Sequence, residues 1–225
     1  MFLDAGGVLV YPNWTRVSET LVRHGVRVSA AALAGAEPHA KKRLDTGETI
    51  RATNDQQRGW TYFNLVLTEA GIALSDATDA ALAELHAYHD QFNLWETVPD
   101  DVRPALGALR ARGYHLVVVS NANGTLHRMF DRLGLTSALD LVFDSYQEGV
   151  EKPDPRFFRS ALDRAGAAPE ATVHVGDLYH VDVVGARAAG IGPVLLDAAD
   201  LYPTCDCPRV QSLTKLVEWV DSQGR

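Results

Sequence analysis

Cysteine is nearly absent from this 225-residue chain, which has only Cys205 and Cys207 with Asp206 between them. That spacing excludes an ordinary unstrained disulfide and suits a reducing compartment, so free thiols in a late surface loop of a cytoplasmic protein are expected. No second Cys/His cluster lies nearby to complete a metal site. Basic excess is missing too. The formal net charge is −8, and the richest basic stretch, Lys41-Lys42-Arg43, is short and followed at once by Leu44-Asp45. Neither nucleic acid nor an anionic membrane is an expected partner. There is no long apolar run: the apolar start lacks a basic leader, is interrupted by Asp4, and reaches Pro12-Asn13 too soon for a signal peptide or a membrane span. Repeats and low-complexity tracts are absent as well.

What is present is a 46% hydrophobic share, enough to fill one domain with an insert or two small domains. Residues 15–92 read as helices only. The spacing predicts helices over Thr15–His24, from a Ser29 cap toward Leu44, over Thr53–Ala70 with Trp60, Phe63, Leu67 and Ala70 on one stripe, and over Asp76–Gln91. From Trp95 onward strands alternate with helices, the pattern of a parallel sheet with crossovers. Strands are predicted at His115–Val119, Leu141–Phe143, Thr172–Val175 and Pro193–Leu196. Helices are predicted after Asp100, over Thr125–Leu133, after Asp154-Pro155, over Asp182–Ala189 and over Ser212–Val220.

The simplest assembly adds residues 1–4 to the sheet as a central strand. The fold expected is α/β: a Rossmann-like, three-layer core of residues 1–13 and 95–225, with an all-helical cap of residues 14–94 inserted over the strand ends. Ligands in such sheets bind beyond the carboxyl ends of the strands, where Asp4, Ser120 and Asp177 fall.

Singly, an aspartate or serine at a strand end is more often a turn former or a helix cap. Four segments together are more specific: Asp4-Ala5-Gly6-Gly7-Val8-Leu9, Ser120-Asn121, Glu151-Lys152-Pro153-Asp154, and Gly176-Asp177 followed by Asp182. Their order and contexts resemble the four motifs of the haloacid dehalogenase superfamily of hydrolases with a helical, C1-type cap. The likeness covers nearly the whole chain and is densest over residues 176–190.

That resemblance implies a Mg²⁺-dependent phosphatase working through an aspartyl-phosphate on Asp4, with a small phosphorylated metabolite as substrate. The residue chemistry agrees with it. Asp4 and Asp177 offer hard carboxylate oxygens, the Gly6 carbonyl a third ligand, and Asp182 a partner for metal-bound water or for Lys152. Lys152 supplies fixed positive charge between anions. The Ser120 hydroxyl and the Asn121 backbone N–H can hold phosphoryl oxygens. Monomer and homodimer are both compatible with the sequence.

One part is missing. Phosphatases of this kind carry a second aspartate two positions after the nucleophile, and here that position is Gly6. General acid–base help contributes about 10² to 10⁴ in rate, so alkyl phosphates with poor leaving groups should suffer most. Other readings follow from the same gap: a regulatory phosphate-binding protein without turnover, a C–halogen hydrolase, or a phosphonoacetaldehyde hydrolase-like enzyme using Lys41 or Lys42 as a Schiff base. Trp14, His39, Arg43, Arg51 and Trp60 are cap candidates for substrate choice. Tyr179 and His180 fall near Asp177, and His174 reads as a core histidine.

Overall fold

Phe2–Leu3 (β1) is two residues long, yet it holds the middle of the sheet because both of its edges are paired. The structure is a computed structural model and describes residues 1–224. The described residues form one six-stranded, all-parallel sheet in the order β3-β2-β1-β4-β5-β6. Its other strands are β2 (Val117–Ser120), β3 (Leu141–Asp144), β4 (Val173–Gly176), β5 (Gly192–Leu196) and β6 (Arg209–Val210). β-Branched Val117-Val118-Val119 suit a pleated strand, and all three are buried, as in a strand covered on both faces. Leu3 is in register with Val118 on one side and Val175 on the other. Asp4, Ser120 and Asp177 therefore leave three adjacent strands at the carboxyl edge of the sheet, level along the strand direction to within about one residue step, ~3.3 Å. β6 carries no sequence signal because two residues set no period.

The chain divides into two compact units, Met1–Tyr11 with Thr97–Arg225, and Pro12–Glu96. The second unit is helical: α1 (Trp14–Arg23), α2 (Ala30–Leu44), α3 (Gly47–Ala52), α4 (Asp55–Glu69) and α5 (Asp76–Phe92). The helix expected from Thr53 starts instead at Asp55, because Asn54 and Gln57 cap each other reciprocally. The preceding segment becomes α3, capped by the Thr46 hydroxyl, which accepts from the Thr49 N–H at 3.1 Å. Phe63 and Leu67 are buried as expected, but Trp60 is 44% exposed and stacks on His86 at 3.3 Å. The core place falls to Tyr62, whose ring lies 4.9 Å from Phe63 and 5.8 Å from Trp95 and whose hydroxyl donates to buried Glu37 at 2.9 Å.

His89 ends α5 with its Nδ1 accepting from the Leu94 N–H at 3.1 Å. Burial pushes this imidazole down to about 4; Asp90 opposes that shift and His86 assists it. Between pH 4 and 6.5 the unfolded chain therefore binds more protons than the folded one. The stabilisation from neutral His89 is complete above about pH 6.5 and is lost as pH falls toward 4, a change of about 3 kcal/mol. Urea midpoints measured from pH 4.5 to 7.5 should rise steeply in the wild type and less steeply in His89→Gln.

In the first unit the sheet is flanked by α6 (Val102–Ala111), α7 (Leu126–Leu133), α8 (Ser145–Glu148), α9 (Pro155–Ala165), α10 (Val184–Ala188) and α11 (Leu213–Ser222). Phe2, Val117, Val119 and Phe143 pack with Phe157, Phe158 and Ala161 of α9 and Ala186 of α10. Gly185 permits this approach: a Cβ there would lie 2.7 Å from Phe158 and 3.0 Å from the Pro153 backbone. Asp100 does not cap α6. The residue before α6 is Asp101, and its carboxylate instead accepts from the Leu213 and Thr214 N–H groups, capping α11. The helix expected from Asp182 begins earlier, as a π-helical turn over Tyr179–Val183 that runs into α10. Among the described residues no helix is long and apolar enough to cross a membrane.

Candidate active site

The turn after β1 follows from Asp4-Ala5-Gly6-Gly7. The Asp4 N–H donates to Val175 at 2.8 Å, and the N–H groups of Val8, Leu9 and Val10 all converge on the Ala5 carbonyl. Gly7 sits at φ 74°, where a side chain would be strained. This leaves the Asp4 carboxylate buried beyond the strand end. Its Oδ1 accepts from the Ala5 N–H at 2.7 Å and lies 2.9 Å from Lys152 Nζ.

Lys152 is 1% exposed, and its ammonium also lies 2.7 Å from Asp182 Oδ1. Burial alone would push it down, but the charges of Asp182 and Asp4 outweigh burial and hold it above its ordinary range. Asp182, equally buried, is opposed by desolvation but held well below the usual carboxylate range by Lys152 and His174. The remaining Asp182 oxygen accepts from the Leu178 N–H at 3.0 Å. A buried ion cluster this well hydrogen-bonded orders its members even where its net stabilisation is small.

Several partners of this cluster escape sequence reading. The Asn121 side chain brackets Lys152, accepting from its N–H at 2.7 Å and donating to its carbonyl at 3.0 Å. His174 is the expected core histidine, but its Nε2 stands 3.0 Å from Asp182 Oδ1 and ties it to the site. Buried Asp144 accepts from the Gly124, Leu126 and Tyr146 N–H groups, and the Ser145 hydroxyl accepts from the Ala122 N–H. These bonds fix the loop that follows Ser120, the last residue of β2, and the buried Ser120 hydroxyl donates to the Asn121 carbonyl at 3.4 Å. The position of His174, in register with Phe2 beside the Asp4 strand, was the available signal. Nothing in the sequence marked Asp144.

Asp4, Asp177 and Asp182 offer oxygens that all lie within 4.8 Å of one another. Such a set of hard, mostly buried carboxylates fits a divalent cation such as Mg²⁺. The turn's hydrogen bonds run through Ala5 and Val10, not through the Gly6 carbonyl. Gly176 is required by this packing, since a Cβ there would fall 2.1 Å from Asp182 Cγ. Gly176→Ala should therefore displace Asp182. Expected are a lowered melting temperature and a loss of Mg²⁺ affinity by isothermal titration, whereas Gly192→Ala, with its nearest neighbour at 3.7 Å, should change neither.

The other expected contacts divide. The Tyr179 hydroxyl donates to Asp206 at 2.7 Å, while His180 packs edge-on against the Tyr179 ring. In the helical unit Trp14 is core, Arg43 pairs with Glu69, and Lys41 pairs with Glu37 at 2.8 Å. His39 and Arg51 are exposed.

A six-stranded parallel sheet with a lysine-centred carboxylate cluster at its carboxyl edge defines an α/β protein of the hydrolase type. The family model for haloacid dehalogenase-like hydrolases matches residues 1–190. A Bos taurus protein named haloacid dehalogenase-like hydrolase domain-containing protein 3 is 32% identical over 190 residues, 78% of this chain and 74% of that one. A glyceraldehyde 3-phosphate phosphatase from Methanothermobacter thermautotrophicus is 32% identical over 140 residues, 61% of this chain and 60% of that one. The matches thus span from under two thirds to about three quarters of these relatives' own lengths. Among solved structures, the putative HAD-hydrolase YfnB from Bacillus subtilis bound to magnesium superposes with a TM-score of 0.69 at 16% identity, covering 98% of this chain and 97% of that one. The chain belongs to the haloacid dehalogenase-like hydrolases.

Proposed function

We propose that the chain is a Mg²⁺-dependent phosphohydrolase of small phosphorylated metabolites, with residues 14–94 as the cap that selects them. The observation that carries this reading is the joint grip of Lys152 on Asp4 and Asp182 beside Asp177. Asp4, Asp177 and the Gly6 carbonyl would hold Mg²⁺, with Asp182 supporting it, and the ion when bound offsets the charge repulsion between nucleophile and phosphoryl group. Asp4 Oδ2 attacks phosphorus, the ester oxygen leaves with its electron pair, and water later opens the acyl phosphate on Asp4. Lys152 stabilises the transferring group, while Ser120 and the Asn121 N–H orient its oxygens. The phosphatase named among the relatives supports this substrate class.

Gly6 cannot protonate the leaving group, so the reading specifies aryl and acyl phosphates as the better substrates. For the Schiff-base alternative, Lys41 is held in an ion pair with Glu37 at 2.8 Å, and borohydride trapping on Lys41 or Lys42 with a carbonyl substrate would separate that reading from this one. A panel of aryl, acyl and alkyl phosphates and haloacids, assayed with Mg²⁺ and with EDTA, tests the proposal. Expected is phosphate release from the activated esters that EDTA abolishes, without halide release. Mg²⁺ and phosphate binding with no turnover of any activated phosphate would instead establish a regulatory binding protein.

A further inference from the structure

The two cysteines sit where the folded loop between β5 and β6 brings their Sγ atoms to 3.8 Å. Both are free thiols and half-buried. The loop is organised: Asp197 accepts from the Leu201 and Tyr202 N–H groups, the Cys205 N–H donates to the Tyr202 carbonyl, and the Leu195 N–H donates to that of Pro208. Both thiols pack against Val183, Leu195 and Tyr202. Asp206, between them, is clamped from outside. Arg187 Nη1 lies 2.8 Å from both carboxylate oxygens, Arg187 Nη2 donates to the Asp206 carbonyl at 2.7 Å, and the Tyr179 hydroxyl donates to Oδ1. Arg187 belongs to α10, and Tyr179 opens the π-helical turn that contains Asp182. The thiol loop is thus bonded directly to the segment that carries a carboxylate of the acid cluster.

We propose that Cys205 and Cys207 are a redox-active dithiol, closed to an intramolecular disulfide by exchange with a low-molecular-weight disulfide, and that closure loosens the Tyr179–Val183 turn. Burial and the neighbouring Cys205 push the Cys207 thiol up, and the first attack is assigned to Cys205. Cys205 gives its proton to water, and its sulfur attacks one sulfur of the small disulfide. The S–S bond breaks, and one small thiolate leaves and takes up a proton. Cys207 then loses its proton and attacks Cys205 Sγ, expelling the second small thiolate, which is protonated in turn. Two protein thiols are oxidised and one small disulfide is reduced to two thiols.

An S–S bond of about 2.05 Å requires the sulfurs to close by roughly 1.8 Å. With a single residue between the cysteines, that closure turns the Asp206 backbone, whose carbonyl is the acceptor for Arg187. A ring this small constrains the unfolded chain little and is strained, which makes it a labile link rather than a structural staple.

The test uses the full chain, first in dithiothreitol and then in glutathione disulfide, with free-thiol counting, intact mass, and amide exchange over residues 178–187. Expected are loss of both thiols with a mass two hydrogens lower, no retained glutathione, reversal by dithiothreitol, and faster exchange in the oxidised form. Cys207→Ser should trap glutathione on Cys205. Asp206→Ala should still form the disulfide but show the fast exchange already when reduced. Persistence of both thiols, a cross-link between chains, or unchanged exchange in the oxidised form would overturn the proposal.

Discussion

Asp4→Asn is expected to reduce Mg²⁺-dependent turnover of p-nitrophenyl phosphate by ~10⁴-fold or more while leaving the fold intact, because it removes the oxygen proposed to attack phosphorus without emptying the site. The amide oxygen can still accept from Lys152 and from the Ala5 N–H, the two bonds that Asp4 Oδ1 makes. Lys152 keeps Asp182, its nearer partner at 2.7 Å, so no buried charge is stranded. Lys152→Met supplies the contrast. It leaves Asp4 and Asp182 as buried carboxylates without a countercharge, and breaking a buried pair from one side costs about 3 to 5 kcal/mol. Activity should fall in both variants, but only Lys152→Met should lower the urea midpoint strongly. Turnover surviving Asp4→Asn would remove Asp4 as the nucleophile.

The sheet was legible because doubly covered parallel strands are written as short apolar runs with glycine stops, and Val117-Val118-Val119 is such a run. β1 was legible for a different reason: its position beside the motif after it, not its two residues, marks it as central. Helix starts were less legible. Asp100 and Asp101 are both good capping residues, and only the placement of α11 gives the Asp101 carboxylate its acceptor role there. Trp60 was misplaced because a stripe on a helix wheel identifies a face but not which of its residues meets a neighbour.

The site shows the same division. Asp4, Ser120 and Asp177 were legible together because strand ends put them on one edge, whereas Lys152 and Asp182 stood out only as members of motif segments. The distances that decide their chemistry depend on side chains with no motif value of their own. Asn121 holds the Lys152 backbone from a loop 31 positions away, and His174 reaches Asp182 across 8. Such bonds join elements whose adjacency is set by sheet order, which sequence period cannot supply. Tyr179 is the converse case: it neighbours Asp177 in sequence, but its hydroxyl is committed to Asp206.

Gly6→Asp is expected to raise turnover of alkyl phosphates by about 10² to 10⁴ and that of p-nitrophenyl phosphate much less. An aryloxide leaves without a proton, whereas an alkoxide needs one delivered as the bond to phosphorus breaks. The backbone does not oppose a side chain at position 6, since Gly7, not Gly6, adopts the left-handed conformation in this turn. The turn's hydrogen bonds through Ala5 and Val10 do not depend on residue 6 lacking a Cβ. The ratio of alkyl to aryl kcat/KM is the decisive measurement, because a general change in folding or metal affinity moves both substrates together and cancels. An unchanged ratio with an intact fold would show that the limitation on alkyl phosphates lies elsewhere than in leaving-group protonation. A raised ratio that falls as pH climbs through the pKa of the introduced carboxyl group would identify that group as the acid, since only its protonated form can donate.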